Sequence, residues 1–238
     1  MQFVQLGPLT ALVTPDLSPQ DAALTVVLLH GYGAPGTDLV GLAAELDPPA
    51  GTRFVFLQGP IVLDPSAPAA MTPRAWWPLD MMELHVLRST KQYDVLATRQ
   101  PEGLVEARAA LTEALAALQE KYEIPSEQLV LGGFSQGAML STDYALHTKT
   151  DLGGLVVLSG SVLTEKEWAP LFDAHRQVPV FQSHSPDDQV LAFVLAERLR
   201  DRFVAAGYSH EFVSFRGGHG IGPTVLSGLN RFLGARSD

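Results

Sequence analysis

The sequence has no cysteine. That absence excludes a disulfide framework and any cysteine-ligated metal centre, and it fits a cytoplasmic protein. Positive charge is also scarce: 16 Lys and Arg stand against 26 Asp and Glu, a formal net charge of −10. Such a negative surface repels nucleic acid and anionic membrane, so neither is expected as a partner. No apolar run approaches the ~18 residues needed for a membrane span. Residues 1–10 contain no lysine or arginine and no long apolar core, so they do not read as a secretory signal. Charged residues of both signs make up only 18% of the chain and hydrophobic ones 46%. That balance argues against disorder and supplies the side chains for a large buried core.

What is present is an alternation of strand-like and helix-like segments. Leu24–Leu29 is almost wholly aliphatic, as expected of a strand covered on both faces. Residues 38–46 read as a short helix stopped by Pro48-Pro49, and 53–58 as a second strand. Leu104, Ala107, Leu111, Leu115 and Leu118 recur at helical spacing in the longest helix signal, 102–122. A strand then runs into Ser135, followed by a helix over 138–147. Further strands are predicted at 155–159, 178–183 and 211–215, and helices at 190–206, closed by Gly207, and 224–233. This order predicts an α/β fold: a mostly parallel central sheet with helices on both faces. Active sites in such sheets lie beyond the C-terminal strand ends. The 238 residues read as one domain without internal repeats. Residues 60–100 are the exception: proline-rich, without a clean period, and expected to form an irregular excursion serving as a lid or a substrate wall.

The chemistry is concentrated in Gly133-Phe134-Ser135-Gln136-Gly137, which occurs once, between an apolar strand and a helix. This is the G-x-S-x-G pattern in the setting it requires, where a tight turn lifts a serine hydroxyl above the sheet. It points to a nucleophilic serine and an acyl-enzyme. A serine needs a base, and the base needs an orienting acid; on this kind of sheet they follow in the order serine, acid, histidine. Five histidines follow Ser135. His147 and His175 lie in helical or linker stretches, His210 opens a strand and His184 ends one. His219, in Arg216-Gly217-Gly218-His219-Gly220 after the last strand, is where a base must be. Asp187 and Asp188 both follow the 178–183 strand; one carboxylate can hold the imidazole while the other faces solvent, and residue physics alone does not choose between them. His184 with these two aspartates could also suggest metal ligands, but no third ligand group is evident, and no metal or other cofactor is expected.

An oxyanion hole needs two backbone N–H groups. Gln136, directly after the nucleophile, supplies one, and Tyr32, in His30-Gly31-Tyr32-Gly33 after the first buried strand, supplies the other. The same loop mimics a dinucleotide fingerprint, since Gly31, Gly33 and Gly36 satisfy G-x-G-x-x-G. The acidic residue that should end the next strand is missing, however, where Gln58-Gly59-Pro60 stands, and Pro35 removes an amide from the turn.

Five segments together resemble the phospholipase/carboxylesterase family, the group of bacterial carboxylesterases and acyl-protein thioesterases. They are Leu29-His30-Gly31-Tyr32-Gly33, Gly132-Gly133-Phe134-Ser135-Gln136-Gly137-Ala138, Leu158-Ser159-Gly160, His184 to Val190, and Gly217-Gly218-His219. The resemblance implies an α/β-hydrolase fold and a cofactor-free serine esterase or thioesterase. Its acid pattern, His-Gly-x-x-Asp-x-Val, implies Asp188 as the acid, with Ser185 departing from the usual glycine. It supports Tyr32 and Gln136 as oxyanion donors. Arg74-Ala75-Trp76-Trp77 resembles the family's tryptophan-aromatic motif, so Trp76 and Trp77 are candidate substrate contacts, with at least one of them expected in the core. The expected partner is a small ester or thioester, handled by a monomer or homodimer. The alternatives are a non-catalytic ligand binder on the same fold, or an acyltransferase or perhydrolase using the same serine.

Overall fold

The structure is a computed structural model that describes residues 2–15, 17–148, 150–173 and 177–236. The chain starts with an antiparallel hairpin, β1 (Gln2–Leu6) and β2 (Leu9–Thr14), turned at Gly7-Pro8. Then come β3 (Leu24–Leu29), a 3-10 turn running into α1 (Leu42–Glu45), and β4 (Thr52–Leu57). Next follow a two-stranded ribbon, β5 (Ile61–Val62) and β6 (Arg74–Ala75), and the helices α2 (Met81–Ser89), α3 (Tyr93–Thr98) and α4 (Leu104–Tyr122). The C-terminal half runs β7 (Leu129–Phe134), α5 (Gln136–His147), β8 (Gly154–Leu158), α6 (Glu165–Trp168), β9 (Val180–His184), α7 (Phe193–Ala206), β10 (His210–Ser214) and α8 (Pro223–Gly234).

Eight described strands form one sheet in the order β1-β2-β4-β3-β7-β8-β9-β10, and all pairings from β4 to β10 are parallel. Period-2 alternation divides the core. Val27 and Leu29 of β3 join a hydrophobic cluster with α4, α5 and α7, whereas Leu24, Val26 and Leu28 join one with α1 and α8. Helices therefore cover both faces, as the alternation predicts. Gly207 ends α7 in the left-handed conformation (φ +84°), as its position after the last periodic residue predicts. No described helix is long and apolar enough to cross a membrane.

Two features differ from the sequence reading. The β1–β2 hairpin was not expected; β1 is a short edge strand with mostly exposed side chains, so it carries little apolar signal. Residues 60–100 are not irregular throughout. They contain the ribbon and two helices too short to show a period. α2 starts because Asp80 accepts hydrogen bonds from the Met82 and Glu83 amides at 2.9 Å each.

Candidate active site

Ser135 sits between the end of β7 and the start of α5 with φ 54° and ψ −116°. A non-glycine residue with positive φ is held there only by its surroundings. Those surroundings are backbone. A Cβ on Gly133 would lie 2.6 Å from the Leu29 carbonyl oxygen, and one on Gly137 would strike the same oxygen. The two glycines let the β7–α5 turn rest on the end of β3.

His219 reaches the site from the loop after β10. Its Nδ1 lies 2.6 Å from Asp188 Oδ2. Its ring centroid is 4.8 Å from that of Phe134, the neighbour of Ser135. The loop is tethered on both sides of the imidazole. Ser159 Oγ donates to the Gly220 carbonyl at 3.0 Å. The Gly217 and Gly218 amides donate to Asp187 Oδ1 at 3.3 Å each. Asp187 is thus solvent-exposed, as expected of one of the pair, yet its carboxylate is engaged with the histidine loop. The Ser185 hydroxyl first, then the Gly217 and Gly218 amides, hold its carboxyl down at about 2.

Asp188 is buried, and its Oδ1 accepts the Val190 and Leu191 amides at 2.7 and 2.9 Å. Burial, the largest influence, opposes its charge. The His219 hydrogen bond and charge, with those two amides, outweigh burial together and hold the carboxyl below its ordinary range. Of the two aspartates, Asp188 is the one that meets the imidazole.

The loop after β3 is oriented by His30. Its Nε2 accepts the Gly59 amide at 2.9 Å, so the proton is on Nδ1, which donates to the Gly31 carbonyl at 2.8 Å. In a trans peptide the carbonyl and the following N–H point opposite ways, so the Tyr32 N–H is turned away from His30. The Gly33 amide is engaged with the Arg74 carbonyl at 2.9 Å. Burial, helped by Arg74, keeps His30 neutral, with its pKa lowered to about 4. The Gln136 amide, at the first position of α5, has no intrahelical acceptor.

The Gln136 side chain has a separate task. Its Oε1 accepts the Trp76 amide at 2.9 Å and its Nε2 donates to the Trp77 carbonyl at 2.8 Å. Trp76 Nε1 in turn donates to the His30 carbonyl at 2.9 Å. Both tryptophans are buried. Trp77 lines the cavity above Ser135, but Trp76 does not, which corrects its assignment as a substrate contact: its indole is committed to packing on His30.

That cavity has a volume of about 500 Å³. Ser135, Gln136, His219, Gly31 and Tyr32 line its base. Leu84 and Leu87 of α2 with Leu96 of α3 line one wall, and Leu191 and Leu195 line another. The excursion at 60–100 therefore contributes to the wall. Three further side chains join the site without a role read for them in the sequence: Ser159, Arg88, whose guanidinium donates to the Asp188 carbonyl at 2.8 Å, and His184, which was weighed only as a metal ligand and lies against Asp188. The family-like segment Leu158-Ser159-Gly160 was the signal that pointed to Ser159. His184, Asp187 and Asp188 do not converge on one point, because the Asp187 carboxylate is turned to the Gly217–Gly218 amides. His175 lies outside the described residues.

With this geometry in view, the profile of the phospholipase/carboxylesterase family matches residues 14–236. The chain is 31% identical to an acyl-protein thioesterase 1 from Eremothecium gossypii, covering 92% of this chain and 90% of that protein. It is 30% identical to the acyl-protein thioesterase 1 of Yarrowia lipolytica, over 74% of each chain. Among solved structures it resembles esterase PE8, with a TM-score of 0.75 and 25% identity over 94% of this chain and 97% of that one. A carboxylesterase from Mesorhizobium loti shares the fold at a TM-score of 0.72 and 14% identity, covering 98% and 97% of the two chains.

Proposed function

The chain belongs to the phospholipase/carboxylesterase family, and from that premise we propose that it hydrolyses small carboxylic esters or thioesters through an acyl-enzyme on Ser135. One observation carries the reading: His219 Nδ1 is 2.6 Å from Asp188 Oδ2, on the same cavity as a serine held in a strained turn. A proton on Nδ1 leaves Nε2 free as the base.

Ser135 Oγ attacks the carbonyl carbon while its proton passes to His219 Nε2. The carbonyl oxygen becomes an oxyanion, held by the amides of Tyr32 and Gln136. Asp188 stays ionised and stabilises the imidazolium. Collapse of the intermediate breaks the bond to the alkoxy or thio group, which takes the proton from Nε2. Water then repeats the sequence: it gives a proton to His219, attacks the acyl carbon, and releases the carboxylic acid and Ser135. No cofactor enters this scheme.

Residues 60–100 act as a substrate wall within a single domain, and Trp77 is the tryptophan of the pair that meets substrate. Gln136 bonds to the backbone of both tryptophans and Arg88 bonds to the acid loop, which supports a fixed wall over a swinging lid. The absence of cysteine is compatible with a cytoplasmic setting.

A fluorophosphonate probe is expected to modify Ser135 in the parent and to leave Ser135→Ala unlabelled, with p-nitrophenyl butyrate hydrolysis lost in step. A parent that binds esters while leaving Ser135 unmodified would be a non-catalytic binder. Faster transfer to an added alcohol or peroxide than to water would instead identify an acyltransferase or perhydrolase.

A further inference from the structure

His184 ends β9 fully buried, and the three oxygen atoms facing its ring nitrogens are all acceptors. Its Nδ1 is 3.2 Å from the Gly160 carbonyl oxygen. Its Nε2 is 3.2 Å from the Leu191 carbonyl oxygen and 3.3 Å from Asp188 Oδ2. A neutral imidazole has one N–H and one lone pair, so it cannot satisfy both ends. The Nε2 side faces a carbonyl and, at 3.3 Å, a carboxylate whose negative charge favours an N–H over a lone pair there. The proton therefore resides on Nε2 and is donated to the Leu191 carbonyl, with Asp188 Oδ2 alongside.

Asp188 Oδ2 consequently accepts the His219 hydrogen bond and also lies 3.3 Å from the His184 Nε2, beside its N–H dipole. We propose that His184 is a positioning residue that steadies the Asp188 carboxylate and moderates its pull on the His219 proton. The inference rests on the roles proposed above for Asp188 and His219. The titratable groups facing His184 are Asp188 and, beyond it, His219; its other neighbours are the two carbonyls and the Phe193 ring, 6.0 Å away between centroids. Burial, the largest influence, lowers the His184 pKa despite Asp188, so the ring donates a hydrogen bond without adding a charge.

The consequence has a definite sign. A carboxylate deprived of the neighbouring N–H dipole keeps more negative charge for its remaining partner. The His219 imidazolium is then better stabilised, and the base is lost to protonation at higher pH. Removing the His184 donor should move the acidic limb of kcat/KM upward by about 0.3–1 pH unit and lower kcat about tenfold, with KM little changed.

The test compares pH profiles of p-nitrophenyl butyrate hydrolysis for the parent, His184→Gln, His184→Asn and His184→Phe. Glutamine can place an amide N–H near the Nε2 position, whereas asparagine reaches only the Nδ1 position and phenylalanine donates nothing. The expected result is an acidic limb near the parent's in His184→Gln and a raised limb in His184→Asn and His184→Phe. If His184→Phe does not fold, the Gln–Asn pair decides. A limb that stays at the parent value in every folded donor-free variant, whatever kcat does, overturns the proposal. Fluorophosphonate labelling of the parent separates the levels. A labelled Ser135 with unmoved limbs removes only the role of His184, whereas an unlabelled Ser135 removes the catalytic reading and this inference with it.

Discussion

Two adjacent aspartates receive opposite treatment from the fold. Asp188 is buried against the imidazole, while Asp187 stands in solvent and accepts amides from the histidine loop. Asp188→Asn is expected to lower kcat on the order of 10⁴-fold, because an amide cannot hold the Nδ1–H tautomer in the same way. Asp187→Ala is expected to cost about tenfold or less, the scale of exposed hydrogen bonds that seat a loop, and Asp187→Asn less still because its oxygen can accept the same amides. Steady-state kcat on a p-nitrophenyl ester checks the ranking, and the reverse order would transfer the acid's role to Asp187. Ser135 and His219 are the candidates legible at this scale, since glycine spacing and chain order point to them. The choice of aspartate was not legible from residue physics. It depends on the Val190 and Leu191 amides turning one carboxylate inward, and only family resemblance pointed to Asp188.

At the level of elements, the long periodic segments were readable because burial repeats along them. α4 and α7 and strands β3, β4, β7, β8, β9 and β10 begin and end within a few residues of their predicted bounds. The stretch from 60 to 100 was not readable, because its helices take their places from contacts with distant segments. The Gln136 side chain is the clearest case, binding the backbone of Trp76 and Trp77 across 60 and 59 residues of sequence. Gln136→Leu would leave a buried amide and a buried carbonyl unpaired, at about 1–3 kcal/mol each. The expected result is a loss of about 2–5 kcal/mol in urea unfolding, with weaker ester hydrolysis as the wall detaches. Unchanged stability would show that the wall is held elsewhere.

Across the whole molecule, folding withdraws histidines from water and favours their neutral form, fully at His30 after β3 and partly at His210 in β10. The His30 pKa is lowered to about 4, chiefly by burial, and so is that of His210, by burial and Arg200. In the unfolded chain both titrate near 6.5, so the unfolded state takes up protons first on acidification. Stability is full above about pH 6.5 and falls as pH drops toward 4, with His30 contributing about 3 kcal/mol of the loss. Urea midpoints measured from pH 7 to 4.5 should fall, and should fall less steeply in His30→Asn; equal slopes would remove His30 from this dependence. The chain by itself determined a mostly parallel α/β architecture, the serine turn and the histidine loop, because periodicity, glycine spacing and element order are local properties. Tertiary structure decided which aspartate carboxylate meets the imidazole, which tryptophan lines the cavity, and that Arg88 reaches the Asp188 carbonyl. Those contacts join segments as far as 100 residues apart, and only the folded sheet brings them within hydrogen-bond reach.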